Sequence, residues 1–134
     1  MNAAPDPPEK DKISYNFPKE ERLRSKKLIA ELFRQGSSFN LYPLRFVYLK
    51  HAAPQSVAPQ ILVSVSKKYF KRAVDRNRIK RQLREVYRLN KNLLQKEEKF
   101  SILALGIIYI AKEKSTSEVI RKKLIPGLER SVNN

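Results

Sequence analysis

Apolar residues recur at helical spacing in three segments of the chain. The first helix is predicted between Ser25, which can cap it, and Gly36, which can end it. A second, longer helix is predicted over residues 73–90. A third follows the capping signature Ser-Thr-Ser-Glu at residues 115–118, and the Pro-Gly pair at residues 126–127 is expected to break or end it. The apolar positions that define these helices are Leu28, Ile29, Leu32, Phe33, Ile79, Leu83, Val86, Val119, Ile120, Leu124 and Ile125.

Three other segments are rich in β-branched and aromatic residues and predict strands at residues 45–50, 61–65 and 102–111. The proline-containing residues 54–59 predict a hairpin loop between the first two strands. The predicted element order is αββαβα, without an internal repeat. This order favours the α+β class, as a small central sheet with helices packed on one face.

The N-terminal residues differ in composition from the rest of the chain. Residues 1–16 carry proline and charge but almost nothing to bury, which predicts a disordered tail ahead of one domain over residues 17–134. No apolar segment resembles a secretory peptide, and the longest apolar run is too short to cross a membrane. With no cysteine in the chain, we expect a cytoplasmic protein that has no membrane partner.

Counting residue types excludes several kinds of chemistry. The chain has no Cys and one His, so it has neither a thiolate nucleophile nor a Cys-containing or multi-His zinc site. Its three glycines are too far apart for a P-loop or a dinucleotide-binding loop. The acidic pairs at residues 20–21 and 97–98 lack a third ligand at a suitable spacing. We therefore expect no catalytic residue, no metal site and no organic cofactor in the protein itself.

The positive charge is concentrated in one part of the chain. Of a formal net charge of +16, residues 67–91 supply more than half, with eleven basic and two acidic side chains. Arg76, Lys80 and Arg84 fall on one side of the predicted helix and would repel one another, which indicates a polyanionic partner. Arginine outnumbers lysine within residues 72–88. A guanidinium group can form two hydrogen bonds with one phosphate group and can also stack on a base. This surface therefore favours structured RNA.

The same basic segment resembles a known family. Residues 65–68 read Val-Ser-Lys-Lys, residues 73–81 read Ala-Val-Asp-Arg-Asn-Arg-Ile-Lys-Arg, and residues 84–85 read Arg-Glu. This pattern resembles the bacterial ribonuclease P protein subunit, whose signature is the Arg76-Asn77-Arg78 core, and compatible residues extend over 17–128. The resemblance implies an α–β sandwich with a left-handed βαβ crossover, against the usual right-handed rule.

What the resemblance implies is the protein subunit of a ribozyme that matures the 5′ ends of tRNA. Its partners would be the catalytic RNA and precursor tRNA, with no obligate protein partner. The RNA and Mg²⁺ would carry out the phosphodiester hydrolysis. The residues carried over for RNA binding are Lys67, Lys68, Arg76, Asn77, Arg78, Lys80, Arg81 and Arg84. Those assigned to a cleft for the 5′ leader, between the sheet and the first helix, are Phe33, Phe46 and Tyr48.

Other interpretations remain open at this level. A structural RNA-binding protein of ribosomal type has similar size and charge, although it need not carry Arg-Asn-Arg after a lysine pair. A protein nuclease or a DNA-binding regulator is disfavoured by the few acidic residues and by the missing helix-turn-helix pattern. Asp75 is interpreted as the N-cap of the basic helix. From the residues alone, Phe33 fits core packing better than a stacking surface, whereas Phe46 and Tyr48 share a strand face that could be turned toward the helices or toward a ligand.

Overall fold

Three α-helices and five β-strands are present in the computed structural model, which describes residues 19–134. The predicted tail over residues 1–16 lies outside the described residues. The α+β class is confirmed, and the observed order αβββαββα adds two short strands, β1 and β4, to the predicted one. The elements are α1 Lys26–Gln35, β1 Ser37–Leu41, β2 Leu44–Gln55, β3 Gln60–Val65, α2 Ala73–Asn90, β4 Gln95–Lys96, β5 Lys99–Tyr109 and α3 Ser117–Asn133.

The sheet has the strand order β1-β2-β5-β3, and β4 pairs with β5. β2 and β5 are antiparallel, whereas β3 and β5 are parallel and are joined by α2. The predicted hairpin between β2 and β3 is therefore wrong, because β5 lies between them. A strand that is apolar on both faces, as β5 is, belongs at the centre of a sheet. The left-handed sense of the β3–α2–β5 crossover stays a prediction.

Both faces of the sheet are covered. α2 and α3 pack over a large core that includes Phe46, Leu105 and Ile107, whereas α1 covers a smaller cluster on the opposite face. That smaller cluster is built around Leu32 and Val47. The prediction that the helices share one face therefore holds for α2 and α3 but is wrong for α1. Successive side chains of a strand point to opposite faces, so Val47 meets α1 while its neighbour Phe46 meets the other layer.

The first helix begins and ends where its sequence predicts. The Ser25 Oγ accepts a hydrogen bond from the Leu28 amide at 3.2 Å, and the Gly36 amide donates to the Leu32 carbonyl at 2.9 Å. Each contact satisfies a backbone or side-chain group at a helix end, where the helix itself supplies no partner. The capping residues thus set where α1 begins and ends.

α3 does not stop at Pro126, so the predicted break is wrong. The helix continues to Asn133 because its second half buries Leu128 and Val132 against the sheet, which offsets the one backbone hydrogen bond that proline cannot donate. Gly127 contributes to this packing, since a Cβ at that position would overlap the ring of Phe46.

Candidate nucleic-acid interface

α2 divides into a buried apolar side and an open basic side. Its inward positions are Ile79, Leu83, Val86 and Tyr87, all of which are buried. Of the residues predicted to bind RNA, Arg76 and Lys80 are half-buried. The others are exposed, on α2 or in the turn before it: Lys67, Lys68, Asn77, Arg78, Arg81 and Arg84. Packing of the apolar stripe therefore turns most of these polar groups toward solvent.

Arg76 is bound to the backbone of the preceding turn. Its Nη1 donates hydrogen bonds of 2.8 Å to the carbonyl oxygens of both Phe70 and Lys71. In the same turn, the Lys68 amide donates to the Ser66 Oγ at 3.0 Å. The Arg76 guanidinium therefore fixes the turn that presents the lysine pair, a local role that its place in an arginine-rich sequence did not reveal.

Asp75 lies in the first turn of α2 and is not its N-cap, which is Arg72. Its carboxylate accepts 2.9 Å contacts from Lys114 and from the Nε of Arg72. Hydrogen bonds from Lys114 and Arg72 lower the pKa of this carboxyl group below its ordinary value. Asp75 therefore ties the start of α2 to the segment between β5 and α3.

A cavity of about 420 Å³ opens on the exposed side of α2. Four arginines surround it, together with one amide and one carboxylate: Arg22, Arg81, Arg84, Arg88, Asn77 and Glu85. Sequence reasoning missed Arg22 as a member of this surface, because Arg22 precedes α1 and is far from α2 along the chain. Its position depends on a long-range contact, the pairing of Arg22 with Ile61 of β3.

The three aromatic residues predicted for the leader cleft do not lie on one face of the sheet. Phe46 is 0% exposed and Tyr48 is 7% exposed, and both belong to the core beneath α2 and α3. Phe46 stacks on Phe39, with ring centroids 5.1 Å apart. These two assignments are therefore wrong, because both side chains point away from α1. Phe33, by contrast, is 51% exposed on α1 and is accessible to a ligand.

The face of the sheet that carries α1 is only partly covered. Apolar side chains from three strands are half-buried there: Leu49, Leu62, Leu103 and Ile108. A groove of about 230 Å³ lies beside β3, the strand at one edge of the sheet, and is lined by Arg22, Arg24, Arg84 and residues 61–63 of β3. Half-open apolar surface beside guanidinium groups can accept a base and a phosphate at the same time.

The carboxylates of residues 19–134 do not converge on one site. In that part of the chain no group of three His, Cys, Asp or Glu side chains comes together to hold a metal ion. Several of the acids instead contact basic groups: Glu21 contacts Lys91 at 3.1 Å and Glu85 contacts Arg88 at 2.6 Å. None of the helices described in residues 19–134 combines the length and the apolar character needed to cross a membrane.

Comparison with known proteins decides the family. The family model described as ribonuclease P matches residues 17–131, which include α2 and every predicted site residue. The chain belongs to the ribonuclease P protein family. In this family, the ribonuclease P protein component of Porphyromonas gingivalis is 35% identical over 123 residues, covering 90% of each chain.

Solved structures of ribonuclease P proteins have the same fold. The protein from Thermotoga maritima gives a TM-score of 0.66 at 24% identity, over 82% of this chain and 96% of that chain. The protein from Staphylococcus aureus gives a TM-score of 0.65 at 22% identity, over 83% of this chain and 94% of that one. The α+β sandwich predicted here is thus the fold of ribonuclease P proteins.

Proposed function

We propose that this chain binds the catalytic RNA of ribonuclease P and assists that RNA in removing the 5′ leader from precursor tRNA. The observation that carries the proposal is the open basic side of α2, where Asn77, Arg78, Arg81 and Arg84 are exposed in a chain with a large excess of positive charge. The guanidinium group of arginine can form two parallel hydrogen bonds with phosphate oxygens. An array of guanidinium groups at fixed positions suits a folded RNA better than a flexible polyanion.

The 5′ leader is assigned to the side of the sheet that carries α1. Phe33 offers an exposed ring there, and Leu49, Leu62 and Ile108 provide half-buried apolar surface. A single-stranded leader has unstacked bases that can pack on such a surface, whereas mature tRNA has no leader. Only Phe33 remains of the three aromatic residues that sequence reasoning placed in the cleft.

The chemistry belongs to the RNA in this proposal, and Mg²⁺ would be held by RNA phosphates. The side chains described in the protein do not fit a magnesium centre, because Asp75, Glu21 and Glu85 each contact a basic group and do not converge. The protein would contribute positive charge, which replaces part of the cation atmosphere around two folded RNAs. The relatives are bacterial proteins, so we assign this activity to the cytoplasm.

RNA binding by α2 is tested by removing two exposed arginines, Arg78 and Arg81. The double variant R78A/R81A should bind the catalytic RNA of the source organism more weakly, with the log–log salt slope reduced by about 1.4 to 1.8, at 0.7 to 0.9 for each lost phosphate contact. A matched control, R121A/K122A, removes two positive charges from exposed positions on α3. Equal weakening by both variants would show that net charge, and not the α2 surface, determines binding.

A further inference from the structure

Arg22 is held against α2 by contacts on both sides of it in the chain. Next to it, the Leu23 amide donates a 2.9 Å hydrogen bond to the Ile61 carbonyl, and the Leu23 side chain is buried beneath α1. On its other side, Glu21 accepts 3.1 and 3.3 Å hydrogen bonds from the Lys91 Nζ. Two neighbours thus anchor the backbone at Arg22 to β3 and to the end of α2.

This placement brings like charges together. Arg22 lines the 420 Å³ cavity with Arg81, Arg84 and Arg88, and the one carboxylate of the cavity, Glu85, is hydrogen-bonded to Arg88. Partial desolvation lowers the pKa of Arg84, and the charge of Arg22 lowers it further. The cavity therefore brings four guanidinium groups and one carboxylate to the same concave surface.

A concave site that holds converging guanidinium groups is suited to an oxyanion. Each guanidinium presents parallel N–H donors that match two oxygens of a phosphate group. The exposed amide of Asn77 adds a neutral donor at the same cavity. Both anchors of Arg22 are contacts within the protein: Leu23 with Ile61, and Glu21 with Lys91. The site is therefore assembled before a ligand arrives, which lowers the entropic cost of binding.

We propose that Arg22 completes a phosphate-binding site with Arg81 and Arg84, and that its ligand is a backbone phosphate of the partner RNA. This inference rests on the proposed function and extends it. The RNA-binding surface is not confined to α2 and the turn before it, because the segment ahead of α1 supplies a guanidinium from a separate part of the chain.

The test compares Arg22→Gln with Arg121→Gln, which removes the same charge from an exposed position on α3. Binding of the catalytic RNA is measured over a series of salt concentrations. For Arg22→Gln, the magnitude of the salt slope should fall by about 0.7 to 0.9, which at 0.1 M salt corresponds to roughly five- to eightfold weaker binding. Arg121→Gln should leave the slope unchanged. Arg22→Lys should keep most of the slope but lose affinity, because an ammonium cannot form the paired contact.

A third variant separates positioning from net charge. Glu21→Gln removes a negative charge, so a purely long-range attraction predicts tighter RNA binding. Our proposal predicts weaker binding, because loss of the contact with Lys91 frees the backbone at Arg22. Each variant is used below its own melting temperature, as determined by circular dichroism.

Three results would overturn the proposal. The first is equal behaviour of Arg22→Gln and Arg121→Gln while the wild-type protein binds RNA, an outcome that leaves the proposed function intact. The second is tighter binding by Glu21→Gln. The third is a site that binds inorganic phosphate but not the RNA. In that case phosphate shifts the arginine Nε–H resonances at constant ionic strength, while Arg22→Gln leaves the salt slope of RNA binding unchanged. If the wild-type protein fails to bind the RNA, the proposed function itself is wrong.

Discussion

Truncating Phe46 or Phe33 to alanine should have opposite effects on stability and on tRNA binding. Phe46 is 0% exposed and packs against Phe39 and Gly127, so Phe46→Ala should lower the free energy of unfolding by about 3–5 kcal/mol. Phe33 is 51% exposed. Burying a whole phenylalanine side chain is worth ~1.5–3 kcal/mol, so Phe33→Ala should cost only about 1 kcal/mol. Urea unfolding followed by circular dichroism measures both values.

In the reconstituted holoenzyme, the change at Phe33 should have a larger effect on tRNA binding than a change at Phe46. Phe33→Ala should weaken binding of precursor tRNA by ~1–3 kcal/mol, the usual contribution of one stacked base, and leave binding of mature tRNA unchanged. Phe46→Leu, a milder change that keeps the protein folded, should alter neither affinity. Equilibrium binding of both tRNAs at one Mg²⁺ concentration tests this. Selective loss of precursor binding in Phe46→Leu, or equal loss of both tRNAs in Phe33→Ala, would refute the assignment of the leader to the α1 face.

Three further predictions concern the contacts that position the interface. Lys91→Met should destabilise the fold by about 3–5 kcal/mol because it leaves Glu21 largely buried without its cationic partner, and the double variant E21Q/K91M should recover much of that loss in urea unfolding. Gly127→Ala should cost about 1–3 kcal/mol through overlap with Phe46, and Phe46→Leu in the same chain should relieve part of it, as thermal melts would show. Asp75 has a lowered pKa when folded, so its contribution to stability is present above the ordinary carboxyl pKa and is lost as pH falls through the folded value. Asp75→Asn should therefore be less stable than the wild type at pH 7, and the two should converge in acid.

The sequence pattern predicts local elements of this protein well. α2 spans Ala73–Asn90, as predicted, because its apolar residues repeat with the helical period and the segment contains no proline or glycine. α1 likewise begins after Ser25 and ends before Gly36. Each of these features depends on residues within one or two turns of one another.

Features that depend on distant residues could not be read in this way. Strand alternation placed Phe46 and Tyr48 on one face of β2, but which face meets which helix is set by the packing of α1 and α3. The insertion of β5 between β2 and β3 also depends on contacts between residues that are distant in sequence. The continuation of α3 through Pro126 depends on such contacts as well. Arg22 reaches the basic surface only because its neighbours bind β3 and α2.

The central claim is that the protein assists catalysis by an RNA. The most direct measurement is cleavage of precursor tRNA by the catalytic RNA of the source organism over a series of Mg²⁺ concentrations, with and without the protein. We predict cleavage at the mature 5′ end at a Mg²⁺ concentration where the RNA alone is inactive, and no cleavage by the protein without the RNA. Cleavage at that site by nuclease-free protein alone, or a Mg²⁺ requirement that the protein does not change, would contradict the account.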